Sequence, residues 1–175
     1  MKNTLLKTVS AICLLAGADA ALAGSTTSSL GVTASVAANC TINTTAVSFS
    51  TYDPVSANAS TALTATGAVQ IACTKGAAPT VTLGLGSNAS GSTRRLIGAS
   101  SSDLLTYELY QPSGTAPGAA CAYTTVWGAT GSSIFTPTTA TSKAARTYNV
   151  CGQISGGQDV TVDTYSDTVV ATVNF

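Results

Sequence analysis

The sequence contains no histidine, and only 8% of its residues are charged. Histidine is the commonest general base and the usual partner of a nucleophilic serine or cysteine, so the familiar hydrolytic triads are excluded. The few charges balance, seven basic against seven acidic. That leaves no basic footprint for nucleic acid or anionic lipid, so nucleic-acid binding is not expected; nor is membrane insertion, the N-terminal apolar run being short. Zinc is disfavoured too, because histidine and CxxC spacing are both missing. Past the first two dozen residues no helical stripe exceeds two turns.

What is present begins with an export signal. Lys2 and Lys7 precede the apolar stretch "TVSAICLLAGA", and Ala21-Leu22-Ala23 fits the small-x-small rule for signal peptidase. The apolar run is too short to span a bilayer. A cleaved leader over residues 1–23 is expected, with Gly24 as the mature start and Ala18-Asp19-Ala20 as a second possible cut. Cleavage removes Cys13 and leaves four cysteines, Cys40, Cys73, Cys121 and Cys151. An even number in an exported chain predicts two disulfides formed in an oxidising compartment, with three pairings open. A Cys40–Cys73 bridge would tie the end of one alternating run to the end of a later one and leave Cys121 for Cys151. Closing a loop of that length contributes about 3–4 kcal/mol on the chain-entropy account. The parity of Cys151 is that of Thr147 and Asn149, so its bridge is expected to pin a loop outside the core.

Ser and Thr make up 51 of the 175 residues, a composition poor in helix formers and suited to strands and turns. Apolar residues recur at every second position. "LGVTASVAANC" aligns Leu30, Val32, Ala34, Val36 and Ala38, and "LTATGAVQIAC" aligns Leu63, Ala65, Val69, Ile71 and Cys73. Shorter runs align Val81 with Leu83 and Leu85, Leu105 with Tyr107 and Leu109, and Tyr148 with Val150 and Ile154. Between them lie "YDPVSANAS", "LGSNASGST", "QPSGTAPGAA" and "SGGQDV", dense in turn residues. Many short alternating strands between such turns predict an all-β sandwich.

The remaining chemistry is sparse. Asp53, Asp103, Glu108, Asp159, Asp163 and Asp167 form no recognisable catalytic pattern, although a glycosidase needs only two facing carboxylates. Asp53 precedes Pro54 in a turn, and Asp159 and Asp163 flank a short apparent strand, so solvated turn positions are expected. "GLGSN" at 84–88 is a fragment of a phosphate-loop pattern with no helix after it. Arg94-Arg95 reads as a strand-start pair facing solvent, and Trp127 as core packing rather than a ligand platform. No enzyme activity, metal or cofactor is expected.

Taken in order, "VSFSTYDPVS" at 47–56, "LTATGAVQIACTKG" at 63–76, "RRLIG" at 94–98, "LTYELY" at 105–110, "TTVWG" at 124–128 and "TYSDTVVATVNF" at 164–175 resemble the spore coat protein U domain family. That family includes the archaic, Csu-type chaperone–usher pilins. The resemblance implies an immunoglobulin-like sandwich lacking one strand, filled first by a periplasmic chaperone. At an outer-membrane usher the N-terminal segment of a neighbouring subunit then replaces the chaperone strand.

Transferred to this chain, the resemblance makes residues 24–38 the donor segment, with Leu30, Val32, Ala34 and Val36 entering a neighbour's groove. Residues 39–175 become the pilin domain, with Val169, Ala171, Val173 and Phe175 lining the groove that receives them. Strand addition of this kind is head-to-tail and propagates into a fibre. The implied role is a pilus subunit at the cell surface, serving adhesion and biofilm formation. Departures from the family pattern fall at 111–123 and at 151–157, both loop-rich. The competing readings are a secreted, self-complete coat or matrix protein and a carbohydrate-binding module built on Trp127.

Overall fold

The structure, a computed structural model, describes residues 23–175. The expected leader, apart from Ala23, lies outside the described residues. A compact unit spans Val36–Phe175, and a separate N-terminal segment ends at Ser35. Residues 24–39 are exposed and carry no strand assignment.

Within the compact unit the period-two runs become strands. They are β1 (Cys40–Thr45), β2 (Leu63–Cys73), β3 (Thr80–Leu83), β4 (Arg94–Gly98), β5 (Leu104–Pro112), β6 (Cys121–Val126), β7 (Arg146–Ile154), β8 (Tyr165–Ser166) and β9 (Ala171–Asn174). A curled antiparallel sheet runs β1-β2-β7-β5-β4-β8, with β6 branching from β5, and a smaller sheet pairs β3 with β9. A bridge between Val81 and Phe135 extends the small sheet. Side chains alternate as the sequence predicts, so Val69, Ile71, Leu105, Tyr107, Leu109, Tyr148, Val150 and Ile154 face Val81, Leu83, Trp127 and Phe135 in one core.

The structure joins Cys40 to Cys73 and Cys121 to Cys151. Cys40 and Cys73 sit directly opposite each other on β1 and β2. Cys151 corrects the sequence expectation. It is wholly buried, and it anchors the first residue of strand β6 rather than a loop. Parity put it on the face away from Tyr148 and Val150, and its disulfide partner there is Cys121 of β6.

Three further expectations change. Arg94 is completely buried instead of facing solvent, for reasons given below. "DVTVD" at 159–163 forms no strand, and Val162 is exposed. The closing stretch 164–175 is not one strand but two. Tyr165 and Ser166 pair with β4 on the edge of the large sheet, whereas Ala171–Asn174 pair with β3 in the small one. The intervening residues stay extended along 84–87, with Gly84 N–H donating to Val170 O at 2.9 Å and Ser87 N–H to Thr168 O at 3.1 Å. The chain thus crosses from one sheet to the other without losing its alternation.

A candidate acceptor groove between two open strand edges

β1 pairs only with β2 and β9 only with β3 among the described residues, so each keeps one unpaired edge. The two strands come close to each other without forming a ladder. Beside them opens a groove of about 280 Å³. Its floor is core surface: Val69, Leu83, Leu96, Tyr107, Leu109 and Val150, drawn from five strands. One wall is the segment Thr44–Val47 with Phe49, and the other is Asp167–Val169 with Ala171. Apolar side chains that belong to a sandwich interior therefore line an opening between two sets of unsatisfied backbone edges. Such an edge is a template for another strand.

Local sequence explains the first wall. The chain leaving β1 lies tightly over the large sheet where that sheet has glycine. A Cβ on Gly67 would stand 2.6 Å from Thr45 O and 2.7 Å from Val47 Cγ2. On Gly152 it would stand 2.5 Å from Val47 Cγ1 and 2.8 Å from Phe49 Cζ. Two glycines on neighbouring strands thus make the bed on which Val47 and Phe49 rest. Beyond the wall, Asp53 Oδ1 accepts from Val55 N–H and Ser56 N–H, both at 3.0 Å, and closes an Asx turn.

The second wall is held by Asp167. Its Oδ1 accepts from Ser87 N–H at 2.9 Å, from Asn88 N–H at 3.2 Å and from Asn88 Nδ2 at 3.0 Å. Its Oδ2 accepts from the Tyr107 hydroxyl at 2.7 Å. Burial, followed by the Asp167 carboxylate, pushes the Tyr107 phenol well above its ordinary range, so it stays a donor. The Asp167 carboxylate is thus satisfied within the domain, and apart from Thr44, Thr45 and Thr168 the remaining lining residues are apolar.

The sequence-derived acceptor residues divide. Val169 and Ala171 line the groove, Val173 packs against the core farther along β9, and Phe175 is 56% exposed. Missed from the sequence were Val47, Phe49, Leu96 and the Asp167–Tyr107 pair. The one available signal was Gly67 in the interior of a strand, a mark of close backbone approach. Of the residues expected to act as donors, Leu30, Val32 and Val36 are 87%, 86% and 83% exposed.

The other singled-out residues serve the fold. Trp127 is fully buried, with its Nε1 donating to Val81 O at 2.9 Å, so its ring offers no face to a ligand. Arg94 forms an ion pair with Glu108 and donates to Gly84 O and Trp127 O, each at 2.7 Å from Nη2. Asp163 Oδ2 accepts from Ser100 N–H and Ser101 N–H at 2.7 Å, tying the 98–103 turn to the 155–164 loop. Among the described residues no three acidic, cysteine or histidine groups converge as a metal site, and no helix is long and apolar enough to cross a membrane.

The Spore Coat Protein U domain matches residues 26–172. The chain belongs to the Spore Coat Protein U domain family. "Protein U" of Myxococcus xanthus is 34% identical over 185 residues, covering 99% of this chain and 98% of that protein. Among solved structures, a chain of the CsuC–CsuE chaperone–tip adhesion subunit pre-assembly complex, from archaic chaperone–usher Csu pili of Acinetobacter baumannii, superposes with a TM-score of 0.55. It is 22% identical, and the match covers 80% of this chain and 40% of that one. The likeness places this spore coat protein U domain among immunoglobulin-like β-sandwiches, here with a curled large sheet and a small partner sheet.

Proposed function

We propose that this spore coat protein U domain is a structural subunit of an archaic chaperone–usher pilus that polymerises by donor-strand exchange. The observation carrying the reading is the groove, a core-lined opening flanked by the unpaired edges of β1 and β9. Its occupant is a strand with apolar residues at every second position. The chain owns such a segment in residues 24–38, where Leu30, Val32, Ala34 and Val36 alternate with small or polar residues. Main-chain hydrogen bonds to the open edges supply affinity, and the alternate side chains supply register. A periplasmic chaperone occupies the groove first, an outer-membrane usher directs the exchange, and neighbouring copies follow, giving a surface fibre for adhesion and biofilm formation. The solved Csu chaperone–subunit complex of like fold supports this reading, as do two disulfides suited to an oxidising compartment.

The test is deletion of residues 25–38 in cells carrying the cognate assembly proteins. Fibres are expected to disappear while the subunit is still captured by the chaperone. Normal fibres from the deletion would refute the reading. The Spore Coat Protein U domain match favours a second version, a coat protein, which we would expect to be secreted with its N-terminal strand closing its own groove. A stable, chaperone-free monomer with amides 28–38 protected from hydrogen exchange would establish that version instead.

A further inference from the structure

The surface charge of the domain is sorted onto opposite ends. Strand registers fix the ends of the large sheet: Cys73 on β2 and Arg146 on β7 lie at one, and Leu63, Ile154, Leu104, Gly98 and Tyr165 at the other. In the small sheet Asn174 of β9 pairs with Thr80, which a short connection joins to Cys73. Lys75 and Lys143 rim one shallow depression at the first end, together with Asn39 and Thr74. Arg146, paired across from Ile71, stands at the same end and donates to Thr138 O. Its Nε and Nη2 are buried without a partner, so Lys75 and Lys143 carry the exposed charge of this end. No carboxylate joins these three cations in an ion pair among the described residues.

The second end carries Asp53, Asp103, Asp159 and Asp163, on the loops 53–61, 98–103 and 155–164. Hydrogen bonds of Asp103 to Thr161, of Asp163 to Ser100 and Ser101, and of Gly157 to Asn58 draw those loops together. No lysine or arginine lies on them. The other charged side chains of the compact unit sit between the ends: the Arg94–Glu108 pair, Arg95 bonded to Asn88 O, and Asp167. An eleven-residue strand such as β2 spans about 35 Å, several Debye lengths at physiological salt, so the two ends do not neutralise each other within one molecule.

From this layout we infer that the cationic end of one copy of this chain docks against the acidic end of the next, so that opposite charges flank each donor-strand joint. The inference rests on the pilus reading above. β1 runs from the cationic end toward the acidic end and β9 runs the other way, so a donor between their open edges is antiparallel to one and parallel to the other. A donor antiparallel to β9 runs toward the acidic end and emerges over it. The residues that follow a donor are Asn39 and Cys40, and Asn39 is held at its own copy's cationic end by its N–H to Thr74 Oγ1, at 3.1 Å. In that orientation the joint brings Lys75 and Lys143 of one copy to the four aspartates of the next. A donor laid parallel to β9 would instead bring two cationic ends together, and like-charge juxtaposition disfavours that orientation. Complementary ends steer encounter and fix register more than they add affinity.

The test uses the full mature chain, refolded without chaperone, with fibre growth followed by light scattering. Wild-type growth is expected to slow about tenfold between about 20 mM and about 500 mM NaCl. Lys75→Glu/Lys143→Glu should slow growth by a similar factor at low salt and abolish the salt dependence. Adding Asp159→Lys to that variant should recover part of the rate. These three side chains are exposed, so an unchanged melting temperature serves as the control for folding. Fibres that grow at one rate regardless of salt and charge reversal would overturn the end-to-end docking and leave the pilus reading intact. Persistence of fibres after deletion of 25–38 would overturn both.

Discussion

Arg94 at the start of β4 and Glu108 on β5 form an ion pair in which the guanidinium is 0% exposed and the carboxylate side chain 29% exposed. The same guanidinium donates to the carbonyls of Gly84 and Trp127, so it staples the end of β3 and the chain leaving β6 to the large sheet. An arginine cannot shed its charge, and its planar fork matches this set of acceptors where an ammonium would not.

Removing the acid alone strands that cation. Glu108→Ala is expected to destabilise the domain by about 3 kcal/mol, the lower end of what breaking a buried pair costs, because the carboxylate retains some water. A double variant, Arg94→Met/Glu108→Leu, should recover much of the loss. Urea midpoints at constant m report both values. A loss below about 1 kcal/mol for Glu108→Ala would mean that water already solvates the pair.

The groove can be tested with a peptide. A synthetic segment of residues 28–38 is expected to bind the domain deleted of 25–38. Ala171→Phe, which fills the groove from the β9 wall, should weaken that binding at least about tenfold. Fluorescence anisotropy of the labelled peptide measures it. Equal affinity for both domains would place the binding elsewhere.

Asp163 makes a pH-dependent contribution with a definite sign. Backbone N–H donors of Ser101, Ser100 and Thr164 pull its carboxyl from 3.8 down to about 2. A folded pKa below the unfolded value gives stability that is complete above the unfolded pKa and lost as pH falls toward about 2. Between pH 5 and pH 2 the wild-type melting temperature should therefore fall more steeply than that of Asp163→Asn. Parallel melting curves would show that these hydrogen bonds do not favour the ionised form.

Reduction probes the clamp beside the groove. Cys40→Ala/Cys73→Ala should lower stability by about 3–4 kcal/mol on the chain-entropy account, a large share of a small domain's total. Cys40 begins β1, whose outer edge is open, so the loss of peptide binding should accompany the loss of stability. Unchanged denaturation midpoints would show that strand pairing alone holds β1.

Much of the fold was legible from residue pattern. The parities of Val69 and Ile71, of Leu105, Tyr107 and Leu109, and of Tyr148, Val150 and Ile154 marked the core face, because a strand's side-chain period depends only on local backbone geometry. Leu85 broke the pattern by lying past the end of β3, where no neighbour covers it, and it is 41% exposed. Arg94 was misread because burial of a charge depends on acceptors distant in sequence, here Trp127 O and Glu108, which no local pattern announces.

The sequence by itself determined that this chain is all-β, stapled by cysteine pairs, and equipped with an alternating N-terminal segment. Composition and period-two patterning are local properties, readable wherever they occur. Only the tertiary structure decided which strands pair, and therefore which edges of β1 and β9 stay open. It likewise decided that Val47 and Phe49 rest on Gly67 and Gly152 to wall a groove, and that lysines and aspartates part to opposite ends. Those outcomes depend on contacts between residues far apart in the chain, and hydrogen-bonded register is what brings them together.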